Sequence, residues 1–300
     1  MADLNLRPMT LGEVLDHTFR LYKNHFWLFA GITALPFLLI LVCQIALAAF
    51  GNGVGQPAQP PTISPGYLGS VMAGGTLLLV LYFLMVGYAH AATIFAVSDL
   101  YLARPATVRG SFARVGAKVF RILVIFFLLF LVVIVGIVAV AIVAGVVAAI
   151  LRSPVLTVFL IFLAFIPALI FFCRTALAIP TAMLENVGAV RSLERSIHLT
   201  KGFGSHIFVI YLLAGFLTYA AMLVFQMPFL TLAIKSAASH TPLAFGIVVL
   251  QDLGTFISQV LVGPIATIAT SLMYYNLRVR KEAFDIQHLM SSLQAAPTTI

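Results

Sequence analysis

Between Lys23 and Asp99 the chain carries no charged residue at all. One helix cannot cover that stretch. Its middle holds Gly51-Asn52-Gly53 and then Gly55-Gln56-Pro57-Ala58-Gln59-Pro60-Pro61, and Gly and Pro at this density break helices and mark a loop. Two apolar runs flank the loop, at about 26–50 and 67–97. Each is long enough for the ~20 residues that a bilayer core requires. The second starts softly, because Gly74-Gly75 is a poor helix interior.

The pattern repeats. Further runs lie at about 122–151, 155–184, 207–234 and 243–277. Arg174 is the only charge in the fourth, and the sixth carries Asp252 and a kink-forming Pro264. Apolar residues make up 62% of the chain and charged ones 9%, against about 45–50% and 25% in soluble domains. A soluble globule this apolar could not cover its surface, and a disordered chain is poor in apolar residues. The expected fold is an all-α polytopic membrane protein, one membrane domain over 1–300 with about six transmembrane helices.

Lys and Arg in the short loops set the orientation. With the N-terminus inside, fourteen of the 17 basic residues fall on the inner side: Arg7, Arg20 and Lys23; Arg104, Arg109, Arg114, Lys118 and Arg121; Arg191, Arg195 and Lys201; Arg278, Arg280 and Lys281. Only Arg152 and Lys235 fall outside. Both termini are therefore expected in the cytoplasm, with 278–300 as a cytoplasmic tail. The N-terminal run reads as an uncleaved signal anchor. Its polar lead is long, and the run exceeds the ~7–15 apolar residues of a cleaved signal.

The net charge of +8 does not point to nucleic acid. The basic residues sit in short clusters beside apolar runs, where anionic lipid head groups are the nearer partner. Cys43 and Cys173 fall at different depths, so no disulfide is expected, and no metal-ligand spacing occurs.

Polar-faced helices introduce the hairpins. Residues 10–25 form the first: Thr10-Leu11-Gly12-Glu13 fits a capping box. Leu11, Val14, Leu15, Phe19 and Tyr22 recur near helical spacing, so the helix is expected to lie in the head-group plane. Residues 185–201 form a second, with Val187, Val190, Leu193 and Ile197 as its apolar stripe. The two align in competing registers, as any amphipathic helices do, so a duplication is not established. A third such segment, 110–121, precedes the third run. In the loop before that run Arg104, Arg109, Arg114, Lys118 and Arg121 are candidate anionic-lipid contacts. Arg114, Lys118 and Arg121 would share one helical face, and topology-setting would use the same residues.

Three stretches resemble a known bacterial membrane family. They are Leu6-Arg7-Pro8-Met9-Thr10-Leu11-Gly12-Glu13-Val14-Leu15-Asp16 with Phe19-Arg20-Leu21-Tyr22; 180–202, with Leu184-Glu185 and Arg195-Ser196 before Leu199; and Tyr274-Tyr275-Asn276-Leu277-Arg278-Val279-Arg280-Lys281-Glu282-Ala283-Phe284-Asp285. As a set they resemble the glycerophosphoryl diester phosphodiesterase membrane domain. The resemblance implies a membrane module, named for members that carry a soluble phosphodiesterase after it. That enzyme needs a barrel of about 250 residues, and here only the short tail follows Leu277. The resemblance therefore implies no catalysis by this chain.

Candidate intramembrane polar residues are Asp252, Arg174 and His90. A carboxylate in a span is a functional candidate by default, but Asp252 also suits the outer interface. Arg174 lies near the inner face, where Arg snorkels, and a phosphate or carboxylate contact is the alternative. His90 suits a hydrogen bond to a neighbouring helix. His17 with His25, and His198 with His206, are too far apart on one helix to share an ion. Gly87/Ala91 and Ala141/Gly145 permit close helix packing. No phosphate loop, nucleophile elbow or HExxH occurs, so no cofactor or metal is expected. The expected function is a non-catalytic scaffold, anchor, or partner- or lipid-binding unit of the bacterial cytoplasmic membrane, with any protein partner unspecified. The alternative is a small transporter or lipid-handling protein.

Overall fold

The capping box at the start of the first helix forms as its spacing requires. Thr10 N donates to Glu13 Oε2 (2.7 Å), and Glu13 N donates back to Thr10 Oγ1 (3.4 Å). The computed structural model describes residues 7–51, 65–151, 154–238 and 245–283. Leu6, Arg152, the loop residues 52–64 and 239–244, and the tail from 284 with Asp285 lie outside them. Among the described residues the helices are α1 (Leu11–Asn24), α2 (Phe26–Gly51), α3 (Pro65–Tyr101), α4 (Val108–Val115), α5 (Val119–Leu151), α6 (Pro154–Thr175), α7 (Ala178–Leu184), α8 (Ala189–Thr200), α9 (Gly204–Ala238) and α10 (Phe245–Glu282), and no strand occurs.

Six segments are long and apolar enough to cross a membrane: Phe26–Ala49, Met72–Tyr101, Phe120–Ala148, Ile166–Leu184, Gly204–Leu232 and Phe245–Glu282. The chain is an all-α polytopic membrane protein. Its apolar surface fits that class: Phe127 and Ile142 on α5 are each 62% exposed, which water would penalise and lipid does not.

The fourth run is not one helix. α6 stops at Thr175 and α7 starts at Ala178. In an unbroken helix Pro180 would clash with the carbonyl of Ala176. Restarting at Ala178 places Pro180 in a first turn, whose N–H groups have no helical partner anyway.

The described chain falls into two compact units. The first comprises Met1–Asp16, Ala117–Ile210 and Ala269–Ile300. In it α5, α6, α7 and α8 pack together. The last turns of α10 supply buried Leu272, Met273, Tyr274 and Leu277. The second comprises His17–Gly116 and Tyr211–Ile268. There α2 and α3 pack side by side and α4 lies against both. Phe37, Ile40 and Ala89 form its core with Met85, Val86 and Phe256. Gly87 and Ala91 are buried, so this small pair does permit close packing. Ala141 and Gly145, expected to do the same, are exposed. Gly254 is needed for its size, because a Cβ there would stand 3.0 Å from the carbonyl oxygen of Phe225 on α9.

Two short helices present distinct buried and exposed faces. On α8 the side turned into the protein carries Ser192, Ser196, Leu199 and Thr200, all fully buried. In the expected apolar stripe Val190 is 60% exposed and Ile197 41%, while Val187 and Leu193 are part-buried. On α1 the buried positions are Val14 and Thr18, while Phe19 is exposed. The expected single face of Arg114, Lys118 and Arg121 is broken. α4 ends at Gly116, whose φ of +41° favours glycine. A 3₁₀ turn, Gly116–Lys118, then resets the register before α5.

Candidate functional site

The break between α6 and α7 leaves backbone groups that a membrane interior cannot satisfy with water. α8 satisfies them. Ser196 Oγ accepts from Leu177 N (3.1 Å) and donates to Arg174 O (2.8 Å). Thr200 Oγ1 also donates to Arg174 O (3.1 Å). The buried face of α8 is hydroxyl-bearing because its partner is an interrupted helix rather than an apolar surface.

The other side of the same corner is a ring of charges. Arg195 on α8 donates from Nε to both oxygens of Glu185, at 3.0 and 3.3 Å, and its Nη2 stands 2.5 Å from Glu282 Oε1. Arg278 Nε donates to Glu282 Oε2 (3.1 Å) and lies 3.9 Å from Glu185 Oε1. Tyr274 OH donates to Glu185 Oε1 (3.0 Å). The four charged side chains retain only 16–29% of their exposure. Burial is the largest influence on Arg195 and opposes its charge. The carboxylates of Glu185 and Glu282 outweigh it and hold the guanidinium above its ordinary value. Two cations and two anions close the ring, and every carboxylate oxygen has a donor.

The N-terminal segment joins the same unit. Met9 N donates to Asn276 Oδ1 (2.8 Å), and Asn276 Nδ2 donates back to Met9 O (3.0 Å). Arg280 Nη2 donates to Met9 O as well (2.7 Å). Thus Met9 meets Asn276 and Arg280, and Glu185 and Arg195 meet Tyr274, Arg278 and Glu282, so parts of the three quoted stretches share the first unit. Sequence reading gave Glu185, Arg195, Tyr274, Arg278 and Glu282 no site role. Opposite charges at the ends of separate apolar runs were the available signal.

The expected intramembrane residues are dispersed. Arg174 belongs to the first unit, His90 and Asp252 to the second. His90 Nδ1 lies 3.3 Å from Thr267 Oγ1, linking α3 to α10. It lines a cavity of about 120 Å³ beside Pro264, with Thr33, Thr93, Gln259 and Thr267 adding polar groups. Asp252 is outside that lining and part-buried near the start of α10, with no hydrogen bond or ion pair among the described residues.

The basic loop is partly occupied by the protein itself. Arg114 pairs with Asp99 (2.6 Å) and lies 4.6 Å over the Phe95 ring. Tyr88 on α3 and Phe112 on α4 stack, 5.1 Å between centroids. Arg121 donates to Ala182 O and to Asn186 Oδ1, each at 3.1 Å. Arg104 and Arg109 are exposed, and Lys118 is part-buried. Among the described residues no three His, Cys, Asp or Glu side chains gather as metal ligands. Comparison of the chain with protein-family models, with curated proteins and with solved structures finds no match.

Proposed function

We propose that the chain is a non-catalytic integral membrane module of the bacterial cytoplasmic membrane, allied to the glycerophosphoryl diester phosphodiesterase membrane domain. Both termini lie inside, and the module serves as a scaffold, anchor, or partner- or lipid-binding unit. The observation that carries this reading is the closed ring of Glu185, Arg195, Arg278 and Glu282. A catalytic carboxylate needs a free oxygen or an unsatisfied proton position near substrate. In this ring each oxygen is occupied by a guanidinium or a phenol, which suits a clasp between segments. The inner excess of Lys and Arg supports the orientation.

The test is direct. The purified full chain, in nanodiscs, is incubated with glycerophosphocholine and glycerophosphoglycerol, and glycerol phosphate release is followed. Release at the level of empty nanodiscs is expected. Protein-dependent release that survives repurification would overturn the reading.

One observation favours the alternative, a transporter or lipid-handling protein: the polar cavity around His90 and Pro264. Its volume holds only a few waters, at about 30 Å³ each, so a transport path would need it to widen.

A further inference from the structure

The corner where α8 turns into α9 collects positive charge that the protein answers only in part. Ser196 and Thr200 hold the backbone of Arg174 against the last turn of α8. Lys281 Nζ donates to two carbonyls at that helix end, His198 O (3.0 Å) and Lys201 O (2.8 Å). Arg280 and Lys281 stand 5.7 and 5.8 Å from the centroid of the Phe203 ring. The Lys281 ammonium therefore sits at the same helix end as Lys201 and the backbone of Arg174. Glu282, the acid beside Lys281, has one oxygen on Arg195 and the other on Arg278.

The four cations differ in what answers them. Lys281 faces the carbonyl end of α8, where a cation is favourable. Arg280 holds the Met9 carbonyl. The side chains of Arg174 and Lys201 make no hydrogen bond or ion pair among the described residues. Like charges gathered at one helix end disfavour one another's charged forms, and an anion placed among them relieves that repulsion. The outward face of α8 adds exposed Val190 and Ile197, the composition of a helix seated in an interface.

We propose that this corner is a phosphate-binding site, filled by the headgroup of an anionic phospholipid and contacted by Arg174 and Lys201. It rests on the proposed function only in placing these residues at a leaflet surface, which labelling tests separately. Arg is suited to phosphate by its planar fork of donors, and Lys acts as a point charge.

The test uses the full chain in detergent, titrated with phosphatidylglycerol or phosphatidylcholine and read by native mass spectrometry. Wild-type protein is expected to prefer phosphatidylglycerol, and Arg174→Gln/Lys201→Gln together are expected to weaken that binding about thirtyfold. Lys235→Gln, a charge change elsewhere, leaves it unchanged. If the double variant does not fold, Lys201→Gln alone, at an exposed position, is read for a smaller loss in the same direction. A parallel titration with inorganic phosphate separates the sources. Phosphate binding without lipid preference would overturn the headgroup assignment. Equal binding of both lipids by wild type and variant, with no phosphate bound, would overturn the site.

Discussion

Arg195 and Glu282 stand 2.5 Å apart, Nη2 to Oε1, although one lies on α8 and the other ends α10. Their contact closes the ring with Glu185 and Arg278. Arg195→Ala would leave Glu185 and Glu282, both part-buried, with Arg278 as their one shared cation. Breaking a fully buried pair costs about 3–5 kcal/mol, and here, with the pair part-buried and Arg278 retained, a smaller loss is expected. Arg195→Lys is expected to lose a large part of it, because an ammonium cannot bridge both Glu185 and Glu282 with a rigid fork. Thermal unfolding in nanodiscs measures both. A Tm unchanged in Arg195→Ala would show that the ring holds nothing.

Ser196→Ala tests the repair of the broken helix. It orphans Leu177 N and leaves Arg174 O with Thr200 alone. A buried unsatisfied donor costs about 1–3 kcal/mol. Hydrogen exchange should show faster exchange across 174–182 and little change in α2. Unchanged protection in α7 would contradict the role assigned to Ser196.

Much of this fold was legible, and the reasons are physical. Apolar run length is set by bilayer thickness, so six candidate spans could be counted from composition alone. The Thr10/Glu13 box is a local motif and formed as read. Faces of short helices were less legible. On α8 the apolar stripe could be read from spacing, but the buried face of Ser192, Ser196 and Thr200 could not, because its partner is a helix break that needs hydroxyls. The ring could not be read either. Nothing local says that Glu185 will meet Arg195 and Arg278. Arg114 illustrates the same limit, since its partner Asp99 lies across the turn between α3 and α4.

A pH effect follows from Glu13. The Thr10 backbone N–H is the chief cause that holds its carboxyl below the ordinary value, with the Thr10 hydroxyl and Arg7 acting the same way. The folded value lies below the unfolded one. Its contribution to α1 is therefore complete above the ordinary carboxylate range and is lost as pH falls through the lowered folded value. A spin label at Asp16→Cys, on a background without Cys43 and Cys173, should become more mobile in that acid window. In Glu13→Gln the label should be mobile at all pH values. A flat wild-type profile down to the acid limit, matching Glu13→Gln, would contradict the capping role.

The basic loop should respond unevenly. Arg114→Gln removes an ion pair and a cation–π contact, so a label on α4 should loosen by the small amount an exposed pair supports, about 0–1 kcal/mol. Arg104→Gln with Arg109→Gln should instead weaken contact of the loop with vesicles containing phosphatidylglycerol, most clearly at low salt. Equal effects of all three on vesicle contact would show that Arg114 serves lipid rather than Asp99.

The central claim is a six-span module whose charged, ring-bearing end faces the cytoplasm. Single cysteines at Asn52, Arg104, Glu194, Thr241 and Ser292, placed on a chain with Cys43→Ala and Cys173→Ala, test it in whole cells with a membrane-impermeant maleimide. The account expects labelling at Asn52→Cys and Thr241→Cys. Arg104→Cys, Glu194→Cys and Ser292→Cys should react only after the cells are opened. Labelling of Glu194→Cys or Ser292→Cys in intact cells, with Asn52→Cys protected, would contradict it.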